Sequence, residues 1–127
     1  MKIAGFFEEF WPEGFGTTEG PVAHFRGESP LEDEELILRY LINGFEIVSV
    51  LGAVDDVLGS GERVLAGDSI LTDGEWIWRA DLRFYVRKYH VRLPEEFLAK
   101  ARKLDHSVPE IPGSRLREIA QSVMRIL

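Results

Sequence analysis

Five carboxylates flank a single turn of this chain: Asp55, Asp56, Asp68, Asp73 and Glu75, with Arg79 just beyond and His90 further on. Carboxylates that converge do two kinds of chemistry. They hold a hard divalent cation through oxygen, or one serves as acid and another as base in a hydrolytic step. Asp68, Asp73, Glu75, Arg79 and His90 therefore form one candidate ligand site, for a small molecule or a cation and with an enzyme in prospect. Each also has a plain structural use. Asp73 is a turn former, Asp68 can pair with Arg79 across a hairpin, and Asp55–Asp56 fall in a loop.

The remaining reactive side chains make no recognisable constellation. His24, His90 and His106 are far apart and none lies in a metal-ligating helical spacing. His90 closes a helix, where the dipole favours its cationic form. There is no cysteine, which removes disulfides, thiolate metal sites and cysteine nucleophiles together. Gly59-Ser60-Gly61 lacks the lysine and the strand–helix setting of a phosphate loop, and no serine sits in an elbow motif. The sequence thus nominates no catalytic residue, no metal site and no cofactor.

Charge points elsewhere. The chain of 127 residues carries a net charge of −7, with three basic and twelve acidic side chains in residues 1–60 and a small basic excess after them. An acidic surface attracts and steers a basic partner, and repels phosphate backbones. A basic protein partner is expected and nucleic acid is not. Arg83, Arg87, Lys88 and Arg92 alternate with aromatics, but helical spacing turns those rings inward, where no base can stack. The contact candidates are Glu8, Glu9, Trp11, Phe15, Glu32 and Glu35. The aromatics at 11 and 15 have a second reading, as anchors of a long loop.

These residues need elements to position them. Lys2 to Phe7 reads as a strand, and about 12–28 as a long loop. Ser29, Pro30 and Glu32 have the pattern of a capping box, and Glu32 to Glu35 crowd a first turn where the dipole favours negative charge. Leu36, Ile37, Tyr40 and Leu41 then form one helical face, with Glu35 and Arg39 spaced to pair, and Asn43-Gly44 ends the helix. Phe45 to Leu51 is almost wholly apolar, the mark of a central strand buried on both faces. Gly52 to Gly61 reads as a connection and Val64 to Ala66 as a short extended segment.

Asp73-Gly74 suits a two-residue type I′ hairpin turn. That register sets Leu71 opposite Trp76, Ile70 opposite Ile77 and Asp68 opposite Arg79. It puts Leu71, Trp76 and Trp78 on one face, the expected core face. Asp81 is placed to cap a helix with Leu82, Tyr85, Val86 and Tyr89 inward. A third helix follows Leu93-Pro94, with Phe97, Leu98, Ala101 and Leu104 inward. Ser114 caps a last helix, about 114–127, whose apolar stripe must pack on this domain or on a second copy. The sum is one α+β domain, with about four mostly antiparallel strands and helices packed on one face.

The block Leu71-Thr72-Asp73-Gly74-x-Trp76-x-Trp78, followed by Asp81-Leu82, Tyr85, Tyr89-His90, Leu93-Pro94 and Phe97, resembles a block found in small uncharacterised bacterial proteins. The resemblance implies no activity and carries over no site residue. In size, acidity and absence of cysteine the chain is also similar in general type to bacterial immunity proteins that neutralise toxins. The expected function is a cytoplasmic, non-enzymatic interaction protein, of which an immunity-type inhibitor of a basic toxin is one form. The ligand-site reading and a homodimeric structural module stand as alternatives. Nothing in the chain approaches the roughly 20 apolar residues of a membrane span.

Overall fold

The computed structural model describes residues 1–127. Its strands are β1 (Lys2–Ile3), β2 (Phe45–Val48), β3 (Ala53–Asp55), β4 (Arg63–Leu65), β5 (Ile70–Thr72) and β6 (Trp76–Arg79). Its helices are α1 (Glu34–Ile42), α2 (Leu82–Tyr89), α3 (Glu95–Lys103) and α4 (Gly113–Ile126). Four strands form one sheet in the order β1-β6-β5-β2, with β1 parallel to β6 and the other pairs antiparallel. β3 and β4 make a separate two-stranded ribbon. This is the α+β architecture that the sequence predicts. No helix is long and apolar enough to cross a membrane.

The β5–β6 hairpin organises everything else. Its observed register pairs Leu71 with Trp78 and Thr72 with Ile77, two residues displaced from the type I′ expectation. The cause is at the turn. Only Gly74 has a positive φ, 98°, so the central pair is Gly74-Glu75 rather than Asp73-Gly74. Asp73 stays in the strand position and its side chain caps the turn, accepting the N–H groups of Glu75 and Trp76. A shift of two preserves the faces, because side chains alternate with a period of two. Leu71, Trp76 and Trp78 therefore remain together in the main core, packed against Tyr40, Tyr85 and Phe97. The Asp68–Arg79 pair does not survive, since Arg79 now lies opposite Ile70.

The sheet's other face has its own core of Ile3, Ile70 and Ile77, closed by Trp11 from the long loop and by Ile119 and Val123 from α4. The apolar stripe of α4 thus finds its place within the chain, while α1, α2 and α3 cover the tryptophan face, so helices pack on both faces of the sheet and not on one as the sequence predicts. A second copy is not needed to bury it.

Several local expectations give way to tertiary packing. β2 is an edge strand, with Phe45 and Glu46 exposed and a bulge between Glu46 and Val48. Its apolar run reflects contact of Ile47 and Val48 with the second core, not burial on both faces. The segment after Gly52, expected to be a connection, supplies β3. α1 starts at Glu34, so the Ser29–Glu32 capping box does not form. Asp81 stands at the α2 N-cap but makes no side-chain cap bond, and α4 starts at Gly113, before Ser114. Glu35 pairs with Arg87 rather than Arg39.

Candidate functional site

The five residues of the expected ligand site do not converge. They separate into three places, and each place has its own occupation.

Asp73 and Glu75 stay together at the hairpin tip, where they are saturated by protein donors. The Asp73 carboxylate is fully buried and accepts the Tyr40 hydroxyl at 2.7 Å, the Trp76 N–H at 2.7 Å and the Glu75 N–H at 3.0 Å, with Lys100 Nζ at 3.3 Å. Burial, together with the hydrogen bond to the Asp73 carboxylate, holds the Tyr40 phenol far above its usual range. Glu75 lies between Lys2 at 3.0 Å and Lys100 at 3.2 Å. The hydrogen bond from Lys2 draws its carboxyl below the usual range, and Lys100 adds to this against a smaller burial cost. Three of these donors converge on Asp73 Oδ1 and the Tyr40 hydroxyl takes Oδ2, and full burial leaves a cation or a substrate no approach to the carboxylate. Across the fold, no three His, Asp or Glu side chains are grouped so as to hold a metal ion.

Arg79 turns to Asp81, with Nη2 at 2.8 Å and Nε at 3.2 Å, and its guanidinium stacks on the Phe10 ring. Burial nevertheless pushes the Asp81 carboxyl up to about 6, against the pull of Arg79. Asp68 and Arg79 share the lining of a small cavity of about 240 Å³, floored by Ile70, Phe10 and Trp11.

His90 lies in the third place, as part of a pattern that the sequence conceals. Two histidines in the left-handed conformation, His90 (φ 51°) after α2 and His106 (φ 58°) after α3, reach adjacent carboxylates at the start of α1. His90 Nδ1 is 2.7 Å from Glu34 and His106 Nε2 is 2.8 Å from Asp33. Arg102 completes a bidentate grip on Asp33 and draws its carboxyl far below the usual range. Gly27 lies so close to the His90 carbonyl that a Cβ there would approach its oxygen to 2.4 Å. The His90–Glu34 pair borders the largest concavity, about 760 Å³, between the loop at 25–31 and the α2–α3 junction. His90 stood out in the sequence as a helix end. Its partner did not, because 56 residues separate the two.

The acidic N-terminal segment has a different character. All six carboxylates from Glu8 to Glu32 lack an ion-pair partner, whereas ten of the sixteen that follow have one. Glu8 and Glu13 border an open concavity of about 590 Å³ together with Thr17 and Thr18. Glu9 has a structural task, since its carboxylate accepts the Val22 N–H at 3.0 Å and ties the two halves of the loop. Partial burial raises the Glu19 carboxyl above its usual range. Glu32 is exposed.

Besides Glu9, three more of the contact candidates are engaged within the fold. Trp11 is buried, with its indole N–H donated to the Gly5 carbonyl, and Phe15 packs edge-on against it with ring centroids 5.0 Å apart. Both anchor the loop to the second core. Glu35, though exposed, is committed to Arg87. Asp56, which the sequence places in a plain loop, has defined partners. It is buried, accepts the N–H groups of Leu58 and Ser60, and meets the Tyr89 hydroxyl at 2.5 Å. Those bonds outweigh its burial and lower its carboxyl, and they fasten the β3–β4 ribbon to α2. No family model matches this sequence, and no curated protein or solved structure is significantly similar to it.

Proposed function

We propose that this protein is a non-enzymatic interaction domain that binds a basic protein through its N-terminal acidic loop. The observation that carries the reading is the distribution of ion pairs. Nearly every carboxylate that helps hold α1, α2, α3 and the hairpin together has a cationic partner, while Glu8, Glu13, Glu19, Glu28 and Glu32 have none. Unpaired surface charge of one sign repels itself, and an oppositely charged partner relieves that cost while gaining speed of association. The loop that displays it is anchored by Trp11 and Phe15 on the sheet, so the charges are presented on a fixed frame rather than a mobile tail.

Inhibition of a basic toxin in the bacterial cytoplasm is the specific form of this reading. The contact residues are Glu8 and Glu13 at the concavity and the exposed Glu32 ahead of α1, with Glu9 as the brace of the loop.

Affinity capture from host lysate, comparing the wild type with a Glu8→Lys, Glu13→Lys variant, tests it. The wild type should retain a basic protein that elutes as salt shortens the screening length from about 10 Å toward a few Å. The variant should lose that protein. Recovery of the same proteins by both would remove the proposal.

A further inference from the structure

In a chain of net charge −7, one groove is basic. It measures about 400 Å³ and runs between β4 and the facing surfaces of α1 and α2. Arg63, Arg83 and Arg87 border it, against a single carboxylate, Glu62, which Lys88 holds at 2.7 Å. Arg83 has no ion-pair partner. The partners of Arg63 and Arg87 are Asp55 and Glu35, both highly exposed, and pairs of that kind contribute little and exchange readily. Apolar area is also on offer there: Leu65 is 78% exposed and Ile42 52%.

One side of this groove is a free strand edge. The β3–β4 ladder is bracketed by bonds from Asp56 N–H to Glu62 and from Ala66 N–H to Gly52. Antiparallel pairs alternate between bonded and non-bonded, so Val54 and Val64 exchange bonds, and the N–H and C=O groups of Arg63 and Leu65 point outward. No backbone bond outside the ribbon uses them. An edge of this kind is a template for another strand, and charges along it decide which strand is admitted.

We propose that the outer edge of β4 binds an extended acidic peptide segment of a partner protein by strand addition. Its backbone pairs with Arg63 and Leu65. Its alternate side chains divide by chemistry: apolar ones lie on Leu65, Ile42 and Phe84, and carboxylates meet Arg83 and Arg87. Side-chain alternation along a strand makes that division natural. The arginines that keep basic segments off the edge are the groups that select an acidic one. This surface is separate from the acidic loop, so the two proposals stand or fall independently.

Fluorescence anisotropy with a short fluorescein-labelled peptide of alternating glutamate and valine tests the proposal, with a lysine–valine peptide as control. The glutamate peptide should bind and weaken with added salt, and the lysine peptide should not bind. Arg83→Glu lies on an exposed helical position that makes no structural contact, and it should weaken binding about fivefold or more. Leu65→Pro removes an outward N–H without touching the ribbon's own ladder, and it should also weaken binding while the melting temperature holds. Equal binding of the two peptides would overturn the proposal, as would unchanged affinity in Arg83→Glu or in a folded Leu65→Pro. A dimer by light scattering that the glutamate peptide fails to dissociate would assign the groove to a second copy, and would overturn it as well.

Discussion

The hairpin tip and the N-terminal loop both set carboxylates beside tryptophan, and they use them in opposite ways. At the tip, Asp73 is enclosed under Trp76 with four donors, and Glu75 is held between two lysines. In the loop, Trp11 is enclosed but Glu8 and Glu13 around it are left to solvent without a cation. The difference lies in what arrives from elsewhere in the chain. α1 brings Tyr40 and α3 brings Lys100 to the tip, whereas the arginines that reach the N-terminal segment, Arg79 and Arg92, donate to its backbone carbonyls and pair with neither Glu8 nor Glu13. A carboxylate that the fold neutralises serves the fold, and one that it leaves bare is available to something outside. The same contrast separates neighbours where α1 begins: Asp33, Glu34 and Glu35 are each claimed by a histidine or arginine and Glu32, just before them, is not.

The comparison breaks most severely at the core beneath the tip. Trp78 is buried, donates its indole N–H to the Leu41 carbonyl and packs against Tyr40 and Phe97. Trp78→Ala should cost about 4 kcal/mol, the middle of the range for a buried aromatic truncated to alanine, and leave the chain marginally folded in urea titration. Loss of less than about 1 kcal/mol would mean that the hairpin is not the folding centre.

Next is Asp73 itself. Asp73→Ala removes the acceptor of two turn N–H groups and strands the Tyr40 hydroxyl and Lys100, so a loss of about 3 kcal/mol is expected. Asp73→Asn keeps an oxygen for the turn and should cost roughly half as much. Urea titration of both variants checks the order. If alanine and asparagine were equivalent, the ionic half of the network would carry the energy and the turn bonds would be idle.

How much of this was open to inspection in the sequence follows from range. The faces of β5 and β6 and the inward stripes of the helices were legible because they depend on periodicity within one element. The hairpin register was not, since two readings of Asp73-Gly74-Glu75 differ only in which residue takes positive φ, and both keep the tryptophans inward. β2 reads as central because a mostly apolar run looks alike at an edge and in the middle when α4, far along the chain, covers one of its faces. The candidate ligand set was scattered for the same reason. Asp68, Asp73, Glu75, Arg79 and His90 are near one another in sequence, and Arg79 turns to Asp81 two residues on, but Lys100, the partner of Asp73 and Glu75, and Glu34, the partner of His90, come from α3 and α1. Proximity along the chain said nothing about those partners.

A smaller effect separates, by pH, the carboxylate dominated by desolvation from those dominated by their hydrogen bonds. Asp81 is pushed up to about 6 in the folded chain, above its ordinary value of 3.8. Between those values the folded state binds the extra proton, so this group makes stability fall as pH rises from about 4 to 6. Asp33, Asp56 and Glu75 have lowered pKa values and work the other way, adding stability that is lost as pH falls below about 4. Stability measured by urea titration should therefore decline from about pH 4 to pH 6, and Asp81→Asn should flatten that decline whatever it does to the absolute value. An unchanged slope in the variant would place the titration elsewhere.

The smallest effect is the most discriminating for the loop. Glu8→Lys and Glu13→Lys replace charges that contact no cation, so each should change stability by no more than about 0.5 kcal/mol, and toward stabilisation, because self-repulsion among the six unpaired carboxylates falls. Glu9→Lys should instead cost about 1 kcal/mol, since it deprives the Val22 N–H of its acceptor and loosens the loop. Thermal melts of the three variants under one buffer decide the matter. A stabilised Glu8→Lys beside a destabilised Glu9→Lys would mean that the first glutamate is kept at some expense to the fold, which is the behaviour expected of a residue retained for a partner. Equal losses at both positions would mean that the loop charges are part of the structure after all, and the contrast with the hairpin tip would disappear.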